Sequence, residues 1–137
     1  ALAEADLPHE GLLEVGDFGY ESGTRAARAL LDRNPDVTAI IASSDQMALA
    51  ALEVARDRGI SVPRDLSLIS FDNTPIVRFT QPPLTAVDQP IAEISARAVD
   101  LLIAAKKAGE DAVPAAPVVV PAGLVERQST APPPGHA

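Results

Sequence analysis

Residues 38–75 read TAIIASSDQMALAALEVARDRGISVPRDLSLISFDNTP, and this stretch decides the fold. Residues 39–43 and 66–71 are short apolar runs of strand length, each bounded by polar or breaker residues. Between them Met47, Ala50, Ala51, Val54 and Ala55 recur at helical spacing, while Gln46, Glu53 and Asp57 fall on the other side. Ser44 or Asp45 supplies an N-cap and Gly59 a left-handed close. The spacing therefore predicts a helix of about 13 residues, an ordinary crossover length. Both strands end in polar side chains, Ser44-Asp45 after the first and Asp72-Asn73 after the second. In parallel α/β sheets ligands bind outside the carboxyl ends of the strands, where loops are free to carry hydrogen-bonding groups. This rim is the candidate binding site.

Outward from this unit the same alternation continues. Residues 12–15 read as a strand leading through Gly16-Asp17-Phe18 into a helix that begins near Ser22, carries Ala26, Ala27, Leu30 and Leu31 inward, and stops at Asn34-Pro35. Downstream, Gln81-Pro82-Pro83 is an extended spacer that belongs to neither a helix nor a central strand. Residues 84–87 are extended. Pro90 opens a long helix whose stripe is Ile91, Ile94, Ala98, Leu101, Leu102 and Ala105, ending at Gly109. After a loop at 109–117, residues 118–120 and 124–125 read as strand pieces broken by Pro121. The tail 131–137 is proline-rich and expected to be disordered. Alternating elements of this kind predict an α/β fold with a parallel sheet flanked by helices on both faces. In the crossover helix, Ala48, Leu49 and Leu52 form a second apolar edge continued by Arg56. Either a neighbouring helix covers that edge or it is a two-fold interface.

Composition narrows the function classes. The chain has 137 residues, enough for a real core, and 47% hydrophobic content with only 3% aromatics, so that core must be aliphatic and alanine-rich. There is no cysteine, which rules out disulfides, thiol catalysis and cysteine metal sites, and suits a reducing compartment. The apolar runs are too short to span a bilayer, and residues 1–10 lack the basic start of a signal peptide. A net charge of −8 argues against a nucleic-acid surface in this segment. Its histidines, His9 and His136, lie near the two ends, and no glycine-rich phosphate loop follows a strand, so no catalytic residue, metal or cofactor is expected. The one enzymatic alternative is a glycosidase-like carboxylate pair of Asp45 and Asp72, for which nothing in the sequence supplies a raised pKa.

Five motifs in order carry a resemblance. They are Ser43-Ser44-Asp45-Gln46-Met47-Ala48; Gly59-Ile60-Ser61-Val62-Pro63; Phe71-Asp72-Asn73; Pro82-Pro83-Leu84-Thr85 with Gln89-Pro90; and Leu124-Val125-Glu126-Arg127-Gln128-Ser129-Thr130. Over about residues 15–130 the chain resembles the effector-binding domain of LacI/GalR transcriptional regulators. The resemblance implies a periplasmic-binding-protein-like fold of two α/β lobes clamping a small molecule, and this chain looks like the C-terminal part of it. Residues 1–88 would form the C-terminal lobe core, 89–123 a crossing, helix and strand of the other lobe, and 124–130 a return strand. It further implies a sugar or related effector, a cytoplasmic homodimer, no membrane, and DNA contact only through an upstream domain outside this chain. A solute-binding protein of sugar transport shares the fold and stays the alternative.

Site residues follow from the same resemblance. Asp72 matches the aspartate that accepts hydrogen bonds from effector hydroxyls, and its two acceptor oxygens suit a vicinal diol; turn-making beside Thr74-Pro75 is the structural alternative. Phe18 falls where the family stacks an aromatic on the ligand, or it belongs to the core. Gln89 matches a polar residue at the lobe crossing, with a hinge role as the alternative. Ser44 stands where asparagine is usual, keeping a donor and an acceptor but losing the amide fork. Asp45 is expected to cap its helix and orient the loop. The dimer would use Leu49, Leu52 and Arg56 with Ile76 and Phe79 of the loop at 74–79.

Overall fold

The computed structural model describes residues 4, 10–108 and 117–134. In chain order its elements are α1 (Tyr20–Arg33), β1 (Ala39–Ile41), α2 (Asp45–Asp57), β2 (Ser67–Asp72), a 3-10 turn (Pro75–Arg78), β3 (Thr85–Asp88), α3 (Ile91–Ala108) and β4 (Gly123–Val125). The crossover helix α2 has the expected 13 residues. Its cap is Ser44, whose Oγ accepts the Met47 N–H at 3.1 Å, and Gly59 closes the far end at φ +70°. Asp45 is the first helical residue rather than the cap. Helix α1 starts at Tyr20, earlier than Ser22, because the Ser22 hydroxyl reaches back to Asp17 and Gly19 from inside the first turn. It ends as expected at Asn34, whose backbone N–H donates to the Leu30 carbonyl at 2.9 Å.

The two helices pack on each other through small residues. A Cβ on Gly23 would lie 2.7 Å from Met47 Cα and 3.1 Å from Ala50 Cβ, so only glycine permits this approach. Ala48, Ala51, Val54 and Ala55 of α2 join Leu66, Leu68, Val77, Leu84 and Ala86 in a core that is aliphatic throughout. Ala48 thus belongs to the core and not to an outer edge, while Leu49 and Leu52 stay half-buried beyond it.

Strands lie in the order β1-β2-β3-β4, the first three parallel and β4 antiparallel to β3. The sheet is therefore mixed, not wholly parallel, because the chain returns through β4 directly alongside β3 in the opposite sense. Leu68, Ser70 and Ala86 on one face are buried under α2. The register aligns Ile41 with Ile69, Phe71 with Val87, and Val87 with Leu124 on the opposite face. That face leaves Ile41 71% and Leu124 62% exposed, so among the described residues helices cover one face and not both.

Two expected strands do not form. Residues 12–15 run extended beside α1, tied by a Glu14–Arg33 ion pair and by Asn34 Nδ2 on the Gly11 carbonyl, with no ladder to β1. Residues 118–120 border an open groove alongside Ile94, Ala98 and Leu101 of α3 without burying them, and a lone segment without a paired neighbour cannot satisfy a strand's backbone groups. Pro90 precedes α3 instead of entering it, its carbonyl accepting the Ile94 N–H at 2.9 Å. The stripe of α3 is uncovered: residues 91–104 are exposed. Gly109 and the loop to 116 lie outside the described residues.

The return segment after β4 closes the sheet where β2 and β3 diverge. Below their first paired residues, Ile69 and Thr85, Ser129 fills the fork. Its carbonyl accepts the Leu68 N–H at 2.8 Å, its hydroxyl donates to the Leu68 carbonyl at 2.6 Å, and its Oγ accepts the Thr85 N–H at 2.8 Å. Ala131 then exchanges hydrogen bonds with the Ser67 hydroxyl, so the tail begins docked rather than disordered at 131; residues 135–137 lie outside the described set.

Candidate ligand-binding site

The rim at the carboxyl ends of β1, β2 and β3 carries three adjoining sets of hydrogen bonds. Asp72, the last residue of β2, takes φ +127° and accepts the Gln89 side-chain amide on Oδ1 at 2.7 Å. Its Oδ2 lies 3.4 Å from the Asp45 backbone N–H. Asn73 follows at φ +61°, donating to Asp88 Oδ1 at 2.8 Å and accepting from the Arg127 guanidinium at 2.5 Å. Arg127 also donates to the Leu84 carbonyl at 2.5 Å, and its backbone N–H reaches Thr85 Oγ1 at 3.0 Å. On the other side of the rim Phe18 stands at φ +67° with the residue 66% exposed, and its carbonyl accepts the Ser44 hydroxyl at 2.7 Å. Among the described residues these three are the non-glycines at positive φ, and such backbone strain gathers where a fold constrains a site.

Behind the rim Asp45 sets the turn. Its buried carboxylate accepts the Ser70 hydroxyl on Oδ1 at 2.7 Å and the Thr74 N–H on Oδ2 at 2.6 Å. Both oxygens are thereby committed to holding residues 70–74. Ser44 is also inward-facing, only 7% exposed, with its hydroxyl divided between the Met47 N–H and the Phe18 carbonyl. The half-buried Asp72 carboxylate is less fully committed, with Oδ1 accepting from the Gln89 amide and Oδ2 at 3.4 Å from the Asp45 N–H, and its remaining lone pairs can receive hydroxyl donors.

The structure thus bonds Asp72 to Asp45 and Gln89 at the ends of β2 and β3, and bonds Phe18 separately to Ser44, the residue before Asp45. Asn73, Asp88 and Arg127 belong to the rim too and were not among the candidates. Asn73 carried a signal, since it sits directly after Asp72, whereas Arg127 is distant in sequence and only the course of the return segment delivers it. In the loop before α1, the Ser22 hydroxyl first and the Gly19 N–H second hold the Asp17 carboxyl below its usual range.

Of the expected dimer residues, Leu49, Leu52 and Arg56 line a groove of about 620 Å³ with Tyr20, Glu53, Ile60 and the 80–82 loop. Tyr20 donates its hydroxyl to Glu53 across it, and that bond first of all raises the phenol above its ordinary range. Ile76 and Phe79 stand exposed on and just after the 3-10 turn, outside the groove lining.

Residues 1–130 match the family of periplasmic binding protein-like domains. The chain belongs to that family. This periplasmic binding protein-like chain is 41% identical over 130 residues to the HTH-type transcriptional regulator CelR of Thermobifida fusca, covering 94% of this chain and 38% of that protein. It is 40% identical over 131 residues to catabolite control protein A of Priestia megaterium, covering 95% and 39% respectively. Among solved structures, a transcriptional regulator CelR–cellobiose complex matches it with a TM-score of 0.82 and 40% identity, over 94% of this chain and 39% of that one. The chain therefore spans less than two fifths of these curated relatives. The resemblance to LacI/GalR effector domains holds, and the chain is a part of such a domain.

Proposed function

We propose that this chain is the ligand-sensing portion of a sugar-responsive transcriptional regulator of the LacI/GalR type, cytoplasmic and not an enzyme. The observation that supports it most directly is the Asp72–Gln89 pair, a carboxylate and an amide 2.7 Å apart at the ends of β2 and at the exit of β3. A neutral polyhydroxyl ligand supplies the donors an ionised carboxylate needs, and the neighbouring Asp88 adds negative charge that disfavours anionic ligands. Residues 89–123 would carry the chain into a second lobe, whose surface the exposed stripe of α3 would join. Ligand held between lobes would couple to DNA reading by a separate domain. The protein would act as a homodimer through the groove bearing Leu49, Leu52 and Arg56.

Calorimetric titration of the intact protein with neutral mono- and disaccharides tests the site. Asp72→Ala should weaken the best sugar at least tenfold, roughly the loss of one charged hydrogen bond. Undiminished affinity would remove Asp72 from the ligand shell. Sugar-sensitive binding to an operator fragment separates the regulator from a transport protein of the same fold.

A further inference from the structure

Strands β2 and β3 end in a crossed pair of side-chain bonds. The ladder sets Asp72 beside Asp88. The Asp72 carboxylate accepts from Gln89, one residue beyond that partner, at 2.7 Å, while Asn73, one residue beyond Asp72, donates back to Asp88 at 2.8 Å. The second arm is backed by the return segment, where Arg127 Nη2 donates to Asn73 Oδ1 at 2.5 Å. Asn73 thus donates on one side of its amide and accepts on the other, whereas an aspartate in its place would meet the Asp88 carboxylate with like charge. Arg127 is anchored in turn. Its Nη1 donates to the Leu84 carbonyl at 2.5 Å and its backbone N–H to Thr85 Oγ1 at 3.0 Å, and two residues on Ser129 is buried in the sheet fork.

Asp72 and Asn73 are consecutive non-glycines at φ +127° and +61°, conformations that such residues keep only where their surroundings hold them. Three holds act on the pair. Asp45 takes the Thr74 N–H that follows it at 2.6 Å, Gln89 takes the Asp72 carboxylate, and Arg127 with Asp88 takes the Asn73 side chain. Freed of the last, Asn73 could relax toward negative φ, and a backbone rotation there would swing the Asp72 carboxylate away from Gln89. The guanidinium supplies this hold by its shape. Its two terminal nitrogens reach acceptors on separate segments, the Leu84 carbonyl and the Asn73 side chain, whereas a lysine ammonium is a single point that cannot span both in the same fork. Both acceptors are uncharged oxygens, so these two bonds place groups rather than neutralise a carboxylate.

We propose that Arg127 is a positioning residue which, through Asn73, holds the Asp72 carboxylate against Gln89 and so sets the affinity of the rim for a hydroxyl-bearing ligand. This rests on the polyol reading of the rim given above. The test uses the intact protein, with glucose and maltose as calorimetric probes and hydrogen exchange at the Thr74 amide as a readout that needs no ligand. Arg127→Lys keeps the charge and loses the fork. It should speed exchange at Thr74, leave the α2 amides from Ala51 to Ala55 unchanged, and weaken the better-bound sugar about three- to tenfold. In an Asp72→Ala background the same substitution should cost less than about twofold more, because its effect runs through that carboxylate. Asn73→Gly deletes both arms while tolerating positive φ; it should reproduce the two effects and serves as the second variant should Arg127→Lys fail to fold. Full sugar affinity in Arg127→Lys would show that charge alone suffices and overturn the proposal. So would an undiminished loss in the Asp72→Ala background, the mark of an arginine that touches the ligand itself or supports the fold at large. If the unsubstituted protein binds neither sugar, or Asp72→Ala costs nothing, the polyol reading itself fails; the positioning role then stands on faster Thr74 exchange in Arg127→Lys and falls if that exchange is unchanged.

Discussion

Asp45 and Asp72 are both aspartates at strand ends, and their surroundings divide the labour between them. Asp45 is buried with both oxygens bonded, to the Ser70 hydroxyl and the Thr74 N–H. Asp45→Ala should therefore lower stability by about 1–3 kcal/mol, the cost of stranding a buried donor, and should show in a denaturant midpoint. Asp65 behaves differently because it is on the surface. The Arg64 guanidinium first, and the Ser61 N–H second, hold its carboxyl far below the model-peptide value of 3.8. A depressed folded pKa stabilises the fold fully above about 3.8 and ceases to do so as pH falls through the folded value. Asp65→Asn should thus lower the melting temperature modestly near neutrality, the effect being screened at this exposed site, and flatten the acid limb of a thermal-melt series below pH 4, where the two proteins converge. The sequence displays Asp72 and Asn73 as a polar strand end, but not which carboxylate is consumed internally. That depends on Ser70 lying under Asp45, a neighbour 25 positions away.

At the scale of elements, the span of α2 was legible because spacing, polar start and closing glycine agree, and agreement between local signals is what makes a helix predictable; which side of it Ala48 faces was not. Strands were less so. Residues 12–15 and 118–120 have strand-like side chains, yet a strand exists only if a partner's backbone is present, and apolar content does not report that. The antiparallel sense of β4 was equally hidden, since direction is set by the path of the intervening chain. The α1–α2 contact gives a sharp test. Gly23→Ala places a methyl within 2.7 Å of Met47 Cα, and should cost about 1–3 kcal/mol through overpacking, measurable as a lower melting temperature.

For the whole molecule, an uncovered sheet face with Ile41 and Leu124, an exposed α3 stripe and the Leu49–Leu52 groove are surfaces that further chain or a second copy would cover. The intact protein should sediment as a dimer, and Leu49→Asp should shift it to monomer while preserving its circular dichroism. A dimer unaffected by Leu49→Asp would place the interface elsewhere. The family was legible from motifs such as Phe71-Asp72-Asn73 and Glu126-Arg127-Gln128-Ser129, which lie at the strand-end rim and the sheet fork in the folded chain.

Ser129 bonds to Leu68 across 61 positions and to Thr85 across 44. Contacts so far apart in sequence form late, because loop closure must precede them. During synthesis, β2 and β3 can therefore pair only partly until residue 129 has cleared the ribosome. Ser129→Ala should accordingly act on the unfolding limb of a chevron, accelerating escape from the native state and leaving the refolding rate nearly unchanged.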